Sequence, residues 1–148
     1  MTFLNRKLTT RLIEVSLSSA QTASAGDFVL FDTIRATGSH GVTVNSSTGE
    51  IGLDPTKQYS VQASIHVNRS SATSNWSFSW HDSSGTQISA ANGGYDANFV
   101  RSGAANSTYV AVYQSLTPLS VIKLKATVLG ASSTILTNTK LIIVEVTP

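Results

Sequence analysis

Three histidines, eight carboxylates and many serines are the side chains that could do chemistry in this chain of 148 residues. His40, His66 and His81 form neither an H-x-H nor an H-x-x-x-H pair, so no two of them are spaced to grip a metal ion from one element. His66 and His81 fall on the polar faces of strand-like stretches, where solvent or a symmetry mate is the expected neighbour. A serine nucleophile needs an oriented base and a strained turn, and the chain has no G-x-S-x-G. The carboxylates are Asp27, Asp32, Asp54, Asp82, Asp96, Glu14, Glu50 and Glu145. A glycosidase would need two of them about 5–10 Å apart in a cleft. Asp82 and Asp96 sit in loop-like sequence, where turn formation accounts for them. A Gly-rich phosphate loop is missing and so is cysteine, which removes disulfides, thiolate catalysis and Cys-ligated zinc. The residues call for no catalytic site, no metal and no cofactor.

Recognition has better material. Tyr95 and Phe99 lie in the Gly93–Gly103 stretch beside Asp96 and Asn98. Exposed aromatics flanked by amides and carboxylates hold carbohydrate, so this segment is a possible ligand loop. The competing reading is that both rings pin a long loop to the body of the domain. Arg6, Lys7 and Arg11 form the one cationic cluster, followed by Ile13 and Val15. These five residues are the expected anchoring contacts of an N-terminal arm, residues 1–25, which ends in the small-residue linker Ser18–Gly26. Within the arm Ile13, Val15 and Leu17 alternate with Glu14, Ser16 and Ser18 and allow one short strand; a terminus that only adds that strand is the competing reading.

Composition limits the partners. Charged residues make up 12% of the chain, about half the usual globular share, and the net charge is +2. Without a basic face, no nucleic-acid partner is expected. No apolar run approaches the roughly 18 residues of a membrane helix, and the N-terminus lacks an apolar signal core. The expected product is a soluble intracellular protein, or one released by lysis. Its Ser/Thr-rich surface suits an extracellular or virion setting.

The elements that must position these residues are short strands. Tyr59, Val61, Ala63, Ile65 and Val67 alternate with polar residues, and Trp76, Phe78 and Trp80 alternate with Ser77, Ser79 and His81. Such alternation marks strands with one buried face. Phe28–Arg35, Tyr109–Leu116 and Leu141–Val146 are apolar on both faces. Ala91–Ser107, rich in Gly and Asn, reads as a long surface loop. About eight to ten strands without an amphipathic helix imply an all-β sandwich or barrel. A lone two-sheet sandwich covers one face of each sheet, so the doubly apolar strands predict a homo-oligomer.

The order of these passages resembles the tumour-necrosis-factor-like jelly roll of complement globular heads. The resemblance rests on Phe28–Ile34, on Gly49-Glu50-Ile51-Gly52-Leu53 followed by Tyr59-Ser60-Val61-Gln62-Ala63, on Trp76–Trp80 with Gly85, and on Leu116–Leu124 with Leu141–Val146. It implies a two-sheet antiparallel jelly roll over residues 26–148 and a compact trimer with one sheet along the three-fold axis. Phe31, Tyr109, Tyr113, Ile142 and Val144 are then the expected trimer-interface residues. Glu145 is the awkward member of its strand, expected at the interface edge or paired with a cation such as Arg35. Versions without disulfides or a signal peptide resemble bacteriophage structural proteins. The implied role is a capsid decoration (cement) trimer that binds the major capsid protein or another virion protein through its arm. The alternative is a tail-fibre or receptor-binding tip that holds a host-surface glycan.

Overall fold

A computed structural model describes residues 9–36, 40–68, 73–95, 97–102, 107–115, 119–128 and 133–147. The strands among them are β1 (Thr9–Ser16), β2 (Gln21–Ala23), β3 (Thr33–Ala36), β4 (Thr43–Asn45), β5 (Glu50–Gly52), β6 (Gln58–Asn68), β7 (Thr73–Asp82), β8 (Gly94–Tyr95), β9 (Ala97–Ser102), β10 (Ser107–Ser115), β11 (Val121–Val128), β12 (Ser133–Ile135) and β13 (Lys140–Thr147). A single 3-10 turn at Ala90–Asn92 is the helical element among the described residues.

They form two antiparallel sheets. The eight-stranded sheet runs β2-β12-β6-β13-β1-β3, with β10 on the far side of β6 and β8 beyond β10. The five-stranded sheet runs β4-β5-β11-β7-β9. The chain passes repeatedly from one sheet to the other, for example between β3 and β4, β5 and β6, β6 and β7, and β10 and β11, which is the winding of a jelly roll.

Alternation explains which side chains meet between the sheets. Along β6, Tyr59, Val61, Ala63, Ile65 and Val67 are buried while Gln58, Gln62 and Asn68 are exposed. From the opposing sheet, Phe78, Trp80, Ile122, Leu124 and Ala126 each have 0% exposure. Trp80 and Tyr113 meet across the core with ring centroids 6.2 Å apart. Each large side chain buried this way contributes about 1.5–3 kcal/mol.

Three expectations are corrected here. Residues 9–16 are no arm: β1 lies inside the eight-stranded sheet between β13 and β3, paired with β13 from Thr9↔Thr147 to Ser16↔Lys140. Ile13 and Val15 are 0% exposed, because their alternation with Glu14 and Ser16 directs both into the core. β2, also within 1–25, pairs with β12.

Phe28–Arg35 is not one strand either. Val29 donates its N–H to the Leu124 carbonyl on one sheet, while Asp32 donates to the Ser16 carbonyl on the other. The segment therefore crosses the edge of the sandwich, and its apolar residues on both sides reflect that crossing.

Within the Ala91–Ser107 stretch, expected as a long loop, the described residues include β8, β9 and the first residue of β10. Gly93, with φ of 90°, closes the 3-10 turn. A Cβ on Gly94 would collide with the Ile88 carbonyl oxygen, so close backbone approach demands glycine there.

Candidate functional site

The outward face of the eight-stranded sheet is the most distinctive surface among the described residues. Along β13, Leu141 and Ile143 are 0% exposed and Glu145 is 1% exposed, which puts Ile142 and Val144 on the opposite face. Both are half-buried. Val144 pairs with Leu12 on β1 and with Ser60 on β6, and Ile142 pairs with Glu14 and Gln62. Leu12 keeps 61% of its surface in solvent. Three large aliphatic side chains thus lie together on central strands, where a soluble sheet ordinarily presents polar groups. The β6 residues on this face, Ser60, Gln62, Ser64 and His66, are polar and include no carboxylate, lysine or arginine, so desolvating them is less costly than desolvating a charged rim.

Charged side chains among the described residues flank one side of the patch. The Lys140 ammonium lies 3.4 Å from the Glu14 carboxylate, and Arg35 stands opposite Glu14 in the β1–β3 register. All three belong to the same face, since Ile13 and Val15 occupy the other.

The expected interface residues divide accordingly. Ile142 and Val144 lie on the outward face. Phe31 and Tyr113 do not: each is 1% exposed inside the core, Phe31 where the crossing segment passes over the sandwich edge and Tyr113 against Trp80. Tyr109 stands opposite Ile65 in the β10–β6 register, and its side chain lies outside the described residues.

Of the expected anchoring residues, Ile13 and Val15 are core and unable to touch a shell. Arg11 is half-buried opposite Glu145, and Arg6 and Lys7 lie outside the described residues. The expected ligand loop is split between sheets. Tyr95 pairs with Val112 in the eight-stranded sheet, whereas Asn98 and Phe99 pair with Ser77 and Trp76 in the five-stranded one. Asp96 and the side chains of the other three lie outside the described residues.

Glu145 does not pair with Arg35. That guanidinium is on the outward face, while Glu145 points inward and meets Lys57, with Nζ 2.8 Å from Oε1. The hydrogen bond to Glu145, ahead of its charge, holds the Lys57 ammonium above the usual lysine range. Burial pushes the neighbouring Tyr59 phenol up, and its oxygen accepts the Asp54 N–H at 3.1 Å.

Sequence reasoning also missed a serine–histidine pair. His81 is 6% exposed, not at the surface, and its Nδ1 lies 2.8 Å from the Gly85 carbonyl. A carbonyl only accepts, so Nδ1 carries the hydrogen, and Nε2 forms the second hydrogen bond with Ser79 Oγ, 2.8 Å away. The i, i+2 spacing on one strand face was the signal that could have found it. Ser79 is 1% exposed and the Phe28 ring packs edge-on against the imidazole at 6.1 Å, so a substrate carbonyl cannot reach Oγ. The pair latches the Asp82–Thr86 turn to β7. Asp82 completes that turn, accepting from the Ser84 hydroxyl and the Thr86 N–H, which hold its carboxyl below the usual range. Among the described residues, no three His, Asp or Glu side chains gather as a metal site.

No protein-family model matches the sequence, and no curated protein matches it. Solved structures do share its fold. Eiger TNF from S. frugiperda superposes with a TM-score of 0.62 over 95% of this chain and 93% of that one, at 10% identity. Murine APRIL at pH 5.0 gives 0.58 over 93% and 98%, at 10% identity. The globular domain of zebrafish complement 1qA protein gives 0.52 over 93% and 95%, at 9% identity. The likeness at such identities is one of fold: this chain has the tumour-necrosis-factor-like, complement-globular-head-like jelly roll.

Proposed function

We propose that this chain is a non-enzymatic structural protein of a bacteriophage virion, a homotrimer that decorates the capsid. The observation that carries the assembly is the aliphatic trio Leu12, Ile142 and Val144 turned to solvent on central strands of the eight-stranded sheet. Burying such side chains against a second copy gains roughly 1.5–3 kcal/mol each, before the cost of association. The trimer is the assembly that the fold resemblance implies, and it supplies three symmetric patches for multivalent attachment to a shell.

A weakly charged, hydroxyl-rich composition supports the virion surface as the setting. The inaccessibility of Ser79 supports a non-enzymatic role. Contact with the major capsid protein, or another virion protein, falls to the residues that precede β1, among them Arg6 and Lys7. Disrupted virions separated into heads and tails, and probed for this protein, test the setting. Presence on heads at multiples of three supports decoration. Presence on tails alone replaces it with the receptor-binding tip.

A further inference from the structure

A second feature lies in residues that take no part in the aliphatic patch. Lys123 is on the outward face of β11, beside His81 in register, and is only 8% exposed. Its ammonium stands 4.3 Å over the Phe28 ring and 3.4 Å from the Ser83 carbonyl, a long hydrogen bond. Among the described residues no carboxylate lies within ion-pair distance of it. A buried lysine is ordinarily paired, because an ammonium taken from water with its three donors unused is costly. Lys123 is also one of the residues that line a cleft of about 530 Å³ between the crossing segment, β2 and the β4–β5 turn. That volume falls within the roughly 300–1,000 Å³ of small-molecule sites.

The other walls restrict what could sit there. Thr22, Ser47 and Thr48 are exposed hydroxyl-bearing residues on its lining. Asp27, which accepts the Ser24 N–H on Oδ2, is an exposed carboxylate on the same lining. A carboxylate in the cleft repels a polyanion such as a nucleic acid or a phosphate cluster. It suits a ligand with one acidic group and several hydroxyl donors. Lys125, 5.5 Å from the Phe28 ring, adds to the positive potential on the Lys123 side. We propose that this cleft binds an acidic sugar residue, of the hexuronic or sialic acid type, with its carboxylate on the Lys123 ammonium and its hydroxyls on Asp27, Thr22 and Thr48. The site is independent of the trimer and of the virion setting, and each can fail without the other.

Saturation-transfer NMR on the whole chain tests it, with methyl glucuronide and the methyl glycoside of N-acetylneuraminic acid as probes. Methyl glucoside, sodium acetate and an acidic tetrapeptide serve as comparators. At least one acidic sugar is expected to receive saturation, and methyl glucoside to bind roughly tenfold or more weakly, as the loss of a charged hydrogen bond predicts. Lys123→Met, which keeps the aliphatic stem, is expected to abolish the signal. Asp27→Asn, at an exposed position, is expected to weaken it even if Lys123→Met fails to fold. Silence from both acidic sugars, equal binding of methyl glucoside, or an unchanged signal in Asp27→Asn would overturn the proposal. Equal competition by acetate or by the tetrapeptide would overturn it too, leaving a simple anion or peptide site.

Discussion

Lys57 and Glu145 meet 2.8 Å apart at one end of the sandwich, beside the buried Tyr59 ring. Lys57→Met leaves a carboxylate of 1% exposure without its ammonium. The expected loss is about 2 kcal/mol, less than the roughly 3–5 kcal/mol of a fully buried pair because the Lys57 side chain keeps 23% exposure. Urea denaturation of the variant at neutral pH checks this. The same pair sets an alkaline limit. A lysine raised in the folded state contributes stability that is fully present below the ordinary lysine range and lost as pH rises through its folded value. At the acid end, hydrogen bonds from Ser18, Thr56 and Ser84 hold Asp32, Asp54 and Asp82 below the usual range. Their contribution is present above the ordinary carboxylate range and lost as pH falls through the folded values. Melting temperatures measured across pH are thus expected to drop below about pH 4 and above about pH 10. Little of this was legible in the sequence. Parity along β13 put Glu145 on the same face as Leu141 and Ile143, but its partner Lys57 lies 88 positions away and only the sheet register brings them together. Phe31 and Tyr113 were misplaced because an aromatic on a doubly apolar strand carries no label for its face.

At the scale of elements, the alternating strands were legible and the crossings were not. β6 and β7 follow their apolar periodicity because both ends of each stay within one sheet. Residues 27–36 begin beside β11 and end beside β1, so a pattern apolar on two sides arose from a change of sheet. β1 was legible as a strand from Ile13, Val15 and Leu17, but its central position depends on partners at the far end of the chain. Two truncations separate strand from anchor: removing residues 1–8 is expected to leave a cooperatively folded protein, whereas removing residues 1–25 takes out β1 and β2 and abolishes the thermal transition. Calorimetry of both checks this, and a folded 1–25 truncation contradicts the placement of β1. The tight turns offer a second measurement. Gly49 and Gly85 both have positive φ, but a Cβ at Gly49 would lie 2.9 Å from the Val29 carbonyl and one at Gly85 meets nothing within 4 Å. Gly85→Ala is expected to cost about 1–2 kcal/mol from backbone strain alone. Gly49→Ala should cost clearly more, because it also pushes the crossing segment away. Equal losses in chemical denaturation would mean that the contact is relieved without penalty.

For the whole molecule, the fold leaves one large sheet with its inner face buried by the core and aliphatic side chains on its outer face. Leu12, at 61% exposure and paired with Val144 across adjacent strands, is the most exposed large hydrophobic among the described residues. The doubly apolar run Leu141–Val146 made this legible before any coordinates, since residues of both parities must find a dry environment. The sequence could not say which other strands share the face, because that follows from the neighbours of β13. An inward substitution such as Ile143→Asp is expected to unfold the chain, while outward ones act on assembly alone. The decisive measurement is the solution mass by light scattering after size exclusion, for the parent chain and for Ile142→Asp and Val144→Asp. The parent is expected at three times the 15.6 kDa chain mass. At least one variant is expected at the single-chain mass with its thermal transition retained. A parent at 15.6 kDa, or a trimer indifferent to both substitutions, would contradict the account.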